Sequence, residues 1–154
     1  MFARFGGIFG AEGERDIAMA HCLIVDDSRV IRTVARRIFE ELHFIVAEAE
    51  DGMGALRAAR EKMPDLIFLD WSMPGMTGLE FVRSLRAQPD GARPLILVCT
   101  TEVDAGEIAH AVAAGIDDYI MKPFDRETLS AKLAELHTHR ASTATALQSA
   151  AAGH

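Results

Sequence analysis

Five short apolar runs, each followed by a stretch with helical spacing of its apolar residues, constrain this chain more than any other feature. The runs are Leu23-Ile24-Val25, Phe44-Ile45-Val46-Ala47, Leu66-Ile67-Phe68-Leu69, Leu95-Ile96-Leu97-Val98-Cys99 and Tyr119-Ile120-Met121. Near-continuous Leu, Ile and Val suit parallel strands covered on both faces. Between them, Ser28 can cap a helix carrying Val30, Ile31, Val34, Ile38, Phe39 and Leu42 on one face. A second helix follows Asp51-Gly52, with Met53, Leu56, Ala59 and Met63, and Pro64 stops it. Leu79, Phe81, Val82 and Leu85 mark a third. A fourth runs from about Asp104 to Ala114 and ends at Gly115. Asp125 can cap a fifth carrying Leu129, Leu133 and Leu136. Right-handed crossovers between parallel strands turn this alternation into a three-layer α/β sandwich.

Four of the runs end on a reactive polar residue. The first leads into Asp26-Asp27, the third into Asp70, the fourth into Thr100 and the fifth into Lys122-Pro123. Ligands of open parallel sheets bind beyond the carboxyl ends of the strands. Three carboxylates, a hydroxyl and an ammonium are therefore expected at one small site, a set that suits a divalent metal ion and a phosphoryl group. Mg²⁺ prefers oxygen ligands and keeps several waters, so Asp26, Asp27 and Asp70 suffice to hold it. A strand-end carboxylate beside the metal can also accept a phosphoryl group as an acyl phosphate. Lys122 and Thr100 would each meet a phosphoryl oxygen.

Taken singly, each of these residues has an ordinary structural reading. Adjacent aspartates after a strand often cap a helix, Thr100 could simply end a strand, and Lys-Pro is a common turn. Tyr119 alone reads as a half-buried core aromatic, and Trp71 as a partly exposed neighbour of the site. Only the combination singles out metal and phosphate chemistry.

Composition narrows the function classes. The 154 residues fit one domain by size, with 49% hydrophobic and 25% charged residues. A net charge of -7 offers no basic field for non-specific nucleic-acid binding. Neither a membrane-spanning run nor a convincing signal peptide is present. Cys22 and Cys99 both fall in apolar runs and read as small buried hydrophobes of a reducing compartment, the cytoplasm. The six histidines show no metal-ligand spacing.

The order and spacing of the motifs resemble those of response-regulator receiver domains, particularly stand-alone chemotaxis regulators of the CheY type. The resemblance rests on Leu23-Ile24-Val25-Asp26-Asp27-Ser28 and on Leu69-Asp70-Trp71-Ser72-Met73-Pro74-Gly75-Met76-Thr77-Gly78. It continues through Thr100, Ala114-Gly115 and Tyr119-Ile120-Met121-Lys122-Pro123-Phe124, covering about residues 20 to 137. It implies a flavodoxin-like, doubly wound sheet in the order 2-1-3-4-5. In that order another strand separates Cys22 from Cys99, by roughly 10 Å, too far for a disulfide.

The resemblance also implies roles. Asp70 is the phosphoacceptor, and Asp26, Asp27, Asp70 and the backbone carbonyl of Ser72 hold Mg²⁺. Lys122 senses the phosphoryl group, its bond to Pro123 is cis, and Thr100 and Tyr119 form a switch pair. Ser72 and Glu102 flank the path of the attacking water and tune the acyl-phosphate lifetime. Ser72 replaces the Asn often found there, and Thr101 stands where many relatives carry a smaller residue.

A histidine kinase is the expected donor, and a monomer the expected state. By the same resemblance, the chain is expected to catalyse only its own phosphorylation and dephosphorylation. The 138–154 tail, rich in Ala, Ser and Thr, holds no recognisable output segment. Output is therefore expected through protein binding at the fourth helix, fifth strand and fifth helix, with a flagellar switch or other motility component as partner. A phosphate sink or phosphorelay intermediate is the alternative. An aspartyl-nucleophile phosphatase is more remote, because Ser72 occupies the place where such enzymes carry a second Asp. Residues 1–19 are expected to be a disordered extension or a non-native start, with Met19 the natural beginning. The tail is expected to be flexible.

Overall fold

The computed structural model describes residues 20–137. The sequence expectations for 1–19 and 138–154 lie outside the described residues. The elements alternate without exception: β1 (His21–Val25), α1 (Arg29–Glu41), β2 (Ile45–Ala49), α2 (Gly52–Glu61), β3 (Leu66–Asp70), α3 (Gly78–Arg86), β4 (Leu95–Thr100), α4 (Ala105–Ala114) and β5 (Asp118–Met121). A final helix, α5, begins at residue 126 and is described to 137. All strand pairs are parallel, in the order β2-β1-β3-β4-β5. This is the flavodoxin-like order, with helices on both faces.

Strand alternation divides the core into two. Cys22, Ile24, Phe68, Leu97 and Ile120 face one side, packing against Phe39 of α1 and Leu129 and Leu133 of α5. Leu23, Val25, Ile67, Leu69, Ile96 and Val98 face the other, against Leu56 of α2, Phe81 and Leu85 of α3 and Ala111 of α4. On the first side Phe39 meets Phe44 and Phe68 edge-on at 5.4 Å, and Phe68 meets Phe124 at 5.2 Å. The central strands β3 and β4 are buried throughout, whereas the edge strands β2 and β5 are partly exposed. The two cysteines are free and buried, on β1 and β4, with β3 between them. Burial pushes the Cys22 thiol well above its usual range and the Cys99 thiol up to about 12.

Each helix start is capped by a side chain. Ser28, Asp51, Thr77, Asp104 and Asp125 accept from the backbone amides of Ile31, Gly54, Glu80, Glu107 and Thr128. Glu80 returns a bond to the Thr77 amide, completing a capping box.

The structure departs from the sequence expectation at the start of the second strand and on two helix faces. The second strand begins at Ile45, one residue late, because His43 takes a left-handed turn (φ 70) and Phe44 is drawn into the core. Some apolar residues assigned to helix faces are exposed: Val30 and Val34 of α1, and Met53 of α2. The buried arc of α1 runs through Ala35, Ile38, Phe39 and Leu42, and the two valines lie to one side of it.

Candidate functional site

Parallel register brings the strand-end residues to one level. Val25 of β1 pairs with Leu69 of β3, so Asp26 comes to lie beside Asp70. Asp70 pairs with Cys99 of β4, one residue before Thr100, and Thr100 pairs with Met121, one residue before Lys122. The Lys122 amide donates to the Thr100 carbonyl at 2.8 Å, extending the β4–β5 ladder into the loop. The Lys122–Pro123 bond is cis.

Asp26, Asp70 and Thr100 are the buried polar residues among those described, whereas Asp27 is exposed. Each aspartate offers a carboxylate oxygen within 4.8 Å of the others. One ammonium serves this cluster: Lys122 Nζ lies 3.3 Å from Asp26 Oδ2 and 3.3 Å from Asp70 Oδ1. Backbone amides supply the remaining bonds, from Ser28 to Asp26 Oδ1 at 2.8 Å and from Ser72 to Asp70 Oδ1 at 3.1 Å. Arg32 of α1 donates to the Asp26 carbonyl at 2.8 Å and fixes the start of the β1–α1 loop.

Burial raises the Asp70 carboxyl above its ordinary pKa. The Ser72 amide opposes that rise, the like charge of Asp26 adds to it, and Lys122 pulls it back. Burial disfavours the Lys122 ammonium, but Asp70 and Asp26 outweigh this and hold its pKa above the usual value. Three carboxylates sharing one ammonium leave an excess of negative charge in a half-dry cleft, which is unfavourable unless a cation joins them. Oxygen donors from carboxylates fit Mg²⁺ rather than a softer ion.

The other residues singled out in the sequence surround this cluster. The Thr100 hydroxyl donates to the Glu102 carbonyl at 2.9 Å and accepts from the Glu102 amide at 3.2 Å. Ser72 and Glu102 are exposed beside Asp70 and Thr100 in sequence, and Thr101 is exposed too. Trp71 is half-buried and packs over Gly78, where a Cβ would run into the indole. Tyr119 is half-buried on the edge strand β5, outside the Asp–Lys cluster. A small recess beneath α4 is lined by apolar Trp71, Val98, Ile108, Ala111 and Ile116, with Thr100, Glu102, Asp104 and Glu107.

Three long side chains were not singled out from the sequence: Arg32 beside the site, Lys132 on α5, and Arg86 at the opposite end of the strands. Arg86 of α3 donates to the carbonyls of Gly115, Gly91 and Pro94 and to Asp117, pinning the end of α4. Lys132 reaches Asp118 and lies over the Tyr119 ring. A basic residue next to buried leucines on α5 was the only available hint of its position.

Fold and site together define a doubly wound α/β domain with an acidic cluster at its strand ends. The chain belongs to the response regulator receiver domain family, whose model matches residues 22–134. Chemotaxis protein CheY of Pseudomonas aeruginosa is 35% identical over 115 residues, covering 74% of this chain and 93% of that protein. Chemotaxis protein CheY-3 of Vibrio cholerae is 36% identical over 112 residues, covering 72% and 86%. Among solved structures, Vibrio cholerae CheY4 aligns with a TM-score of 0.74 at 37% identity, over 77% of this chain and 99% of that one. The receiver domain of a sensor histidine kinase from Pseudomonas aeruginosa aligns with a TM-score of 0.70 at 31% identity, over 79% and 99%. That structure has a magnesium ion coordinated in its active-site cleft. The chain is thus a CheY-type receiver domain of two-component signalling. Among the described residues no helix is long and apolar enough to cross a membrane.

Proposed function

We propose that this protein is a phosphorylation-dependent switch, in which Asp70 accepts a phosphoryl group from a histidine kinase in the cytoplasm. The observation that carries the reading is the placement of Lys122 Nζ at 3.3 Å from both Asp26 and Asp70. That placement orients Asp70, and Asp27 completes a carboxylate trio. Asp26, Asp27, Asp70 and the backbone carbonyl of Ser72 would hold Mg²⁺. When bound, the ion neutralises charge on the phosphoryl oxygens.

The chain's own residues do the rest. An Asp70 oxygen attacks the phosphorus of phosphohistidine or a small phosphodonor, the bond to the leaving group breaks, and an acyl phosphate forms. Lys122 then pairs with a phosphoryl oxygen, and Thr100 leaves Glu102 to donate to another. Ser72 and Glu102, at the mouth of the cleft, set how readily water attacks the acyl phosphate. Tyr119 turns into the recess beneath α4, and the α4–β5–α5 surface changes. A partner that prefers the changed surface shifts the population toward it.

The partner is a chemotaxis or flagellar motility component, by likeness to the CheY proteins of Pseudomonas aeruginosa and Vibrio cholerae. A second reading, a phosphate sink or relay intermediate, draws on the likeness to a receiver domain belonging to a sensor kinase. Acetyl phosphate with Mg²⁺ is expected to label the wild-type chain and not Asp70→Asn; persistent labelling of that variant sinks the assignment. Capture of partners by beryllofluoride-treated protein, against an Asp70→Ala control, separates the two readings. A partner bound only in the activated state favours the effector. Rapid back-transfer to a histidine phosphotransfer protein, with no such partner, favours the sink.

A further inference from the structure

Tyr119 and Ile120 leave the edge strand β5 on opposite faces. Ile120 enters the core shared with α1 and α5, whereas Tyr119 packs against the core on the α4 side. Lys132 comes from α5, whose Leu129 and Leu133 are buried in the first of these cores. It therefore reaches around the sheet edge to place Nζ 5.9 Å from the centre of the Tyr119 ring. An ammonium within about 6 Å of a ring face is attracted by its quadrupole.

Two carboxylates hold the ammonium there: Asp118 Oδ2 at 3.2 Å and Glu135 Oε2 at 3.3 Å. Asp118 also accepts the Tyr119 amide through its other oxygen at 2.8 Å. One carboxylate thus anchors both the backbone of Tyr119 and the cation over its ring. Isolated surface ion pairs add little stability, so the value of this arrangement lies in the orientation it imposes. The ring does not line the recess beneath α4.

We propose that Lys132 is a positioning residue that holds Tyr119 outside the recess and so sets the resting bias of the switch. The proposal rests on the reading of Tyr119 as the moving element. Phosphorylation must overcome the ring–ammonium contact, and a partner that pairs with Lys132 would release the ring from the other side.

The chain has one tyrosine, so 3-fluorotyrosine gives a single ¹⁹F resonance that reports on Tyr119. Beryllofluoride with Mg²⁺ marks the activated position of that resonance in the wild-type chain. Lys132→Met, which keeps the apolar stem, is expected to move the unactivated resonance toward that position. The inward-to-outward ratio should rise about two- to fivefold, as loss of a weak cation–ring contact implies. Lys132→Arg keeps a cation and should leave the resonance near its wild-type place. Lys132→Gln serves as a second neutral variant, and circular dichroism confirms that each variant is folded.

If beryllofluoride moves the wild-type resonance but neither neutral variant does, Lys132 is only structural and the proposal is overturned, while the switch reading stands. If beryllofluoride leaves Tyr119 unmoved in the wild-type chain, the switch reading itself fails, and the proposal with it.

Discussion

Asp70 ends β3 and Lys122 follows β5, on either side of β4, and they meet across its end with Nζ 3.3 Å from Oδ1. The same ammonium is shared with Asp26 at 3.3 Å. Removing it leaves two buried carboxylates facing each other without a counter-charge. Lys122→Met should therefore destabilise the metal-free fold by roughly 1–3 kcal/mol, the usual penalty for a desolvated group left unpaired. Mg²⁺ supplies the missing charge, so it should raise the urea midpoint of the variant more than that of the wild-type chain. Equal responses to Mg²⁺ would count against the metal reading of the aspartate trio.

The direction of the Asp70 shift sets a pH dependence. Its carboxyl has a folded-state pKa above the ordinary value, chiefly through burial. The folded chain therefore binds that proton more tightly than the unfolded chain does. Asp70 helps the fold most when protonated, below its ordinary pKa of about 4, and this help is lost as pH rises through the folded-state pKa. Without Mg²⁺, Asp70→Asn should be more stable than the wild-type chain at neutral pH. The gap should close on acidification toward about pH 4. Thermal melts of both proteins across that range test the sign.

Gly78 opens α3 directly under the Trp71 indole, where an added Cβ would clash with a rigid ring. Gly78→Ala should cost about 1–3 kcal/mol, as overpacking does, and should shift the emission of the single tryptophan. Gly106→Ala is the matched control. In the first turn of α4, its Cβ would meet only the Asp104 carboxylate at 3.2 Å, a side chain that can give, so this change should cost less than Gly78→Ala. Normal emission from Gly78→Ala would mean the indole is not held by this contact.

Much of the fold was legible because its determinants are local. Apolar runs, capping residues and the glycine after α4 mark the elements directly, and strand ends locate the Asp–Lys cluster without knowledge of side-chain positions. The misplaced start of β2 shows where local reasoning fails. Phe44 belongs to the run by composition, yet ring contact with Phe39 takes it out of the strand. Arg86 shows a second limit. Its partners Gly115 and Asp117 lie 29 and 31 residues away, and only the folded packing of α3 against α4 brings them within reach. Replacing it with Met should cost about 2–3 kcal/mol, because several buried carbonyls lose their donor. Arg86→Lys, which cannot span those acceptors together, should recover only part of that in urea unfolding.

Thr100 separates phosphorylation from its consequence. Its hydroxyl is held by Glu102 through two bonds, at 2.9 and 3.2 Å. Under the proposed mechanism, the hydroxyl must give these up to meet a phosphoryl oxygen. Thr100→Val keeps the shape but removes both bonds, at an expected cost of about 0.5–1.5 kcal/mol each. Attack by Asp70 needs no hydroxyl at that position, so labelling by acetyl phosphate should persist in the variant. What should vanish is the response: beryllofluoride should no longer move the Tyr119 resonance, and capture of an activation-dependent partner should fall to the level of Asp70→Ala. Were the variant to respond as the wild-type chain does, Thr100 would be a strand-end residue satisfied by Glu102. The link from the site to Tyr119 would then have to run through Trp71 and α4.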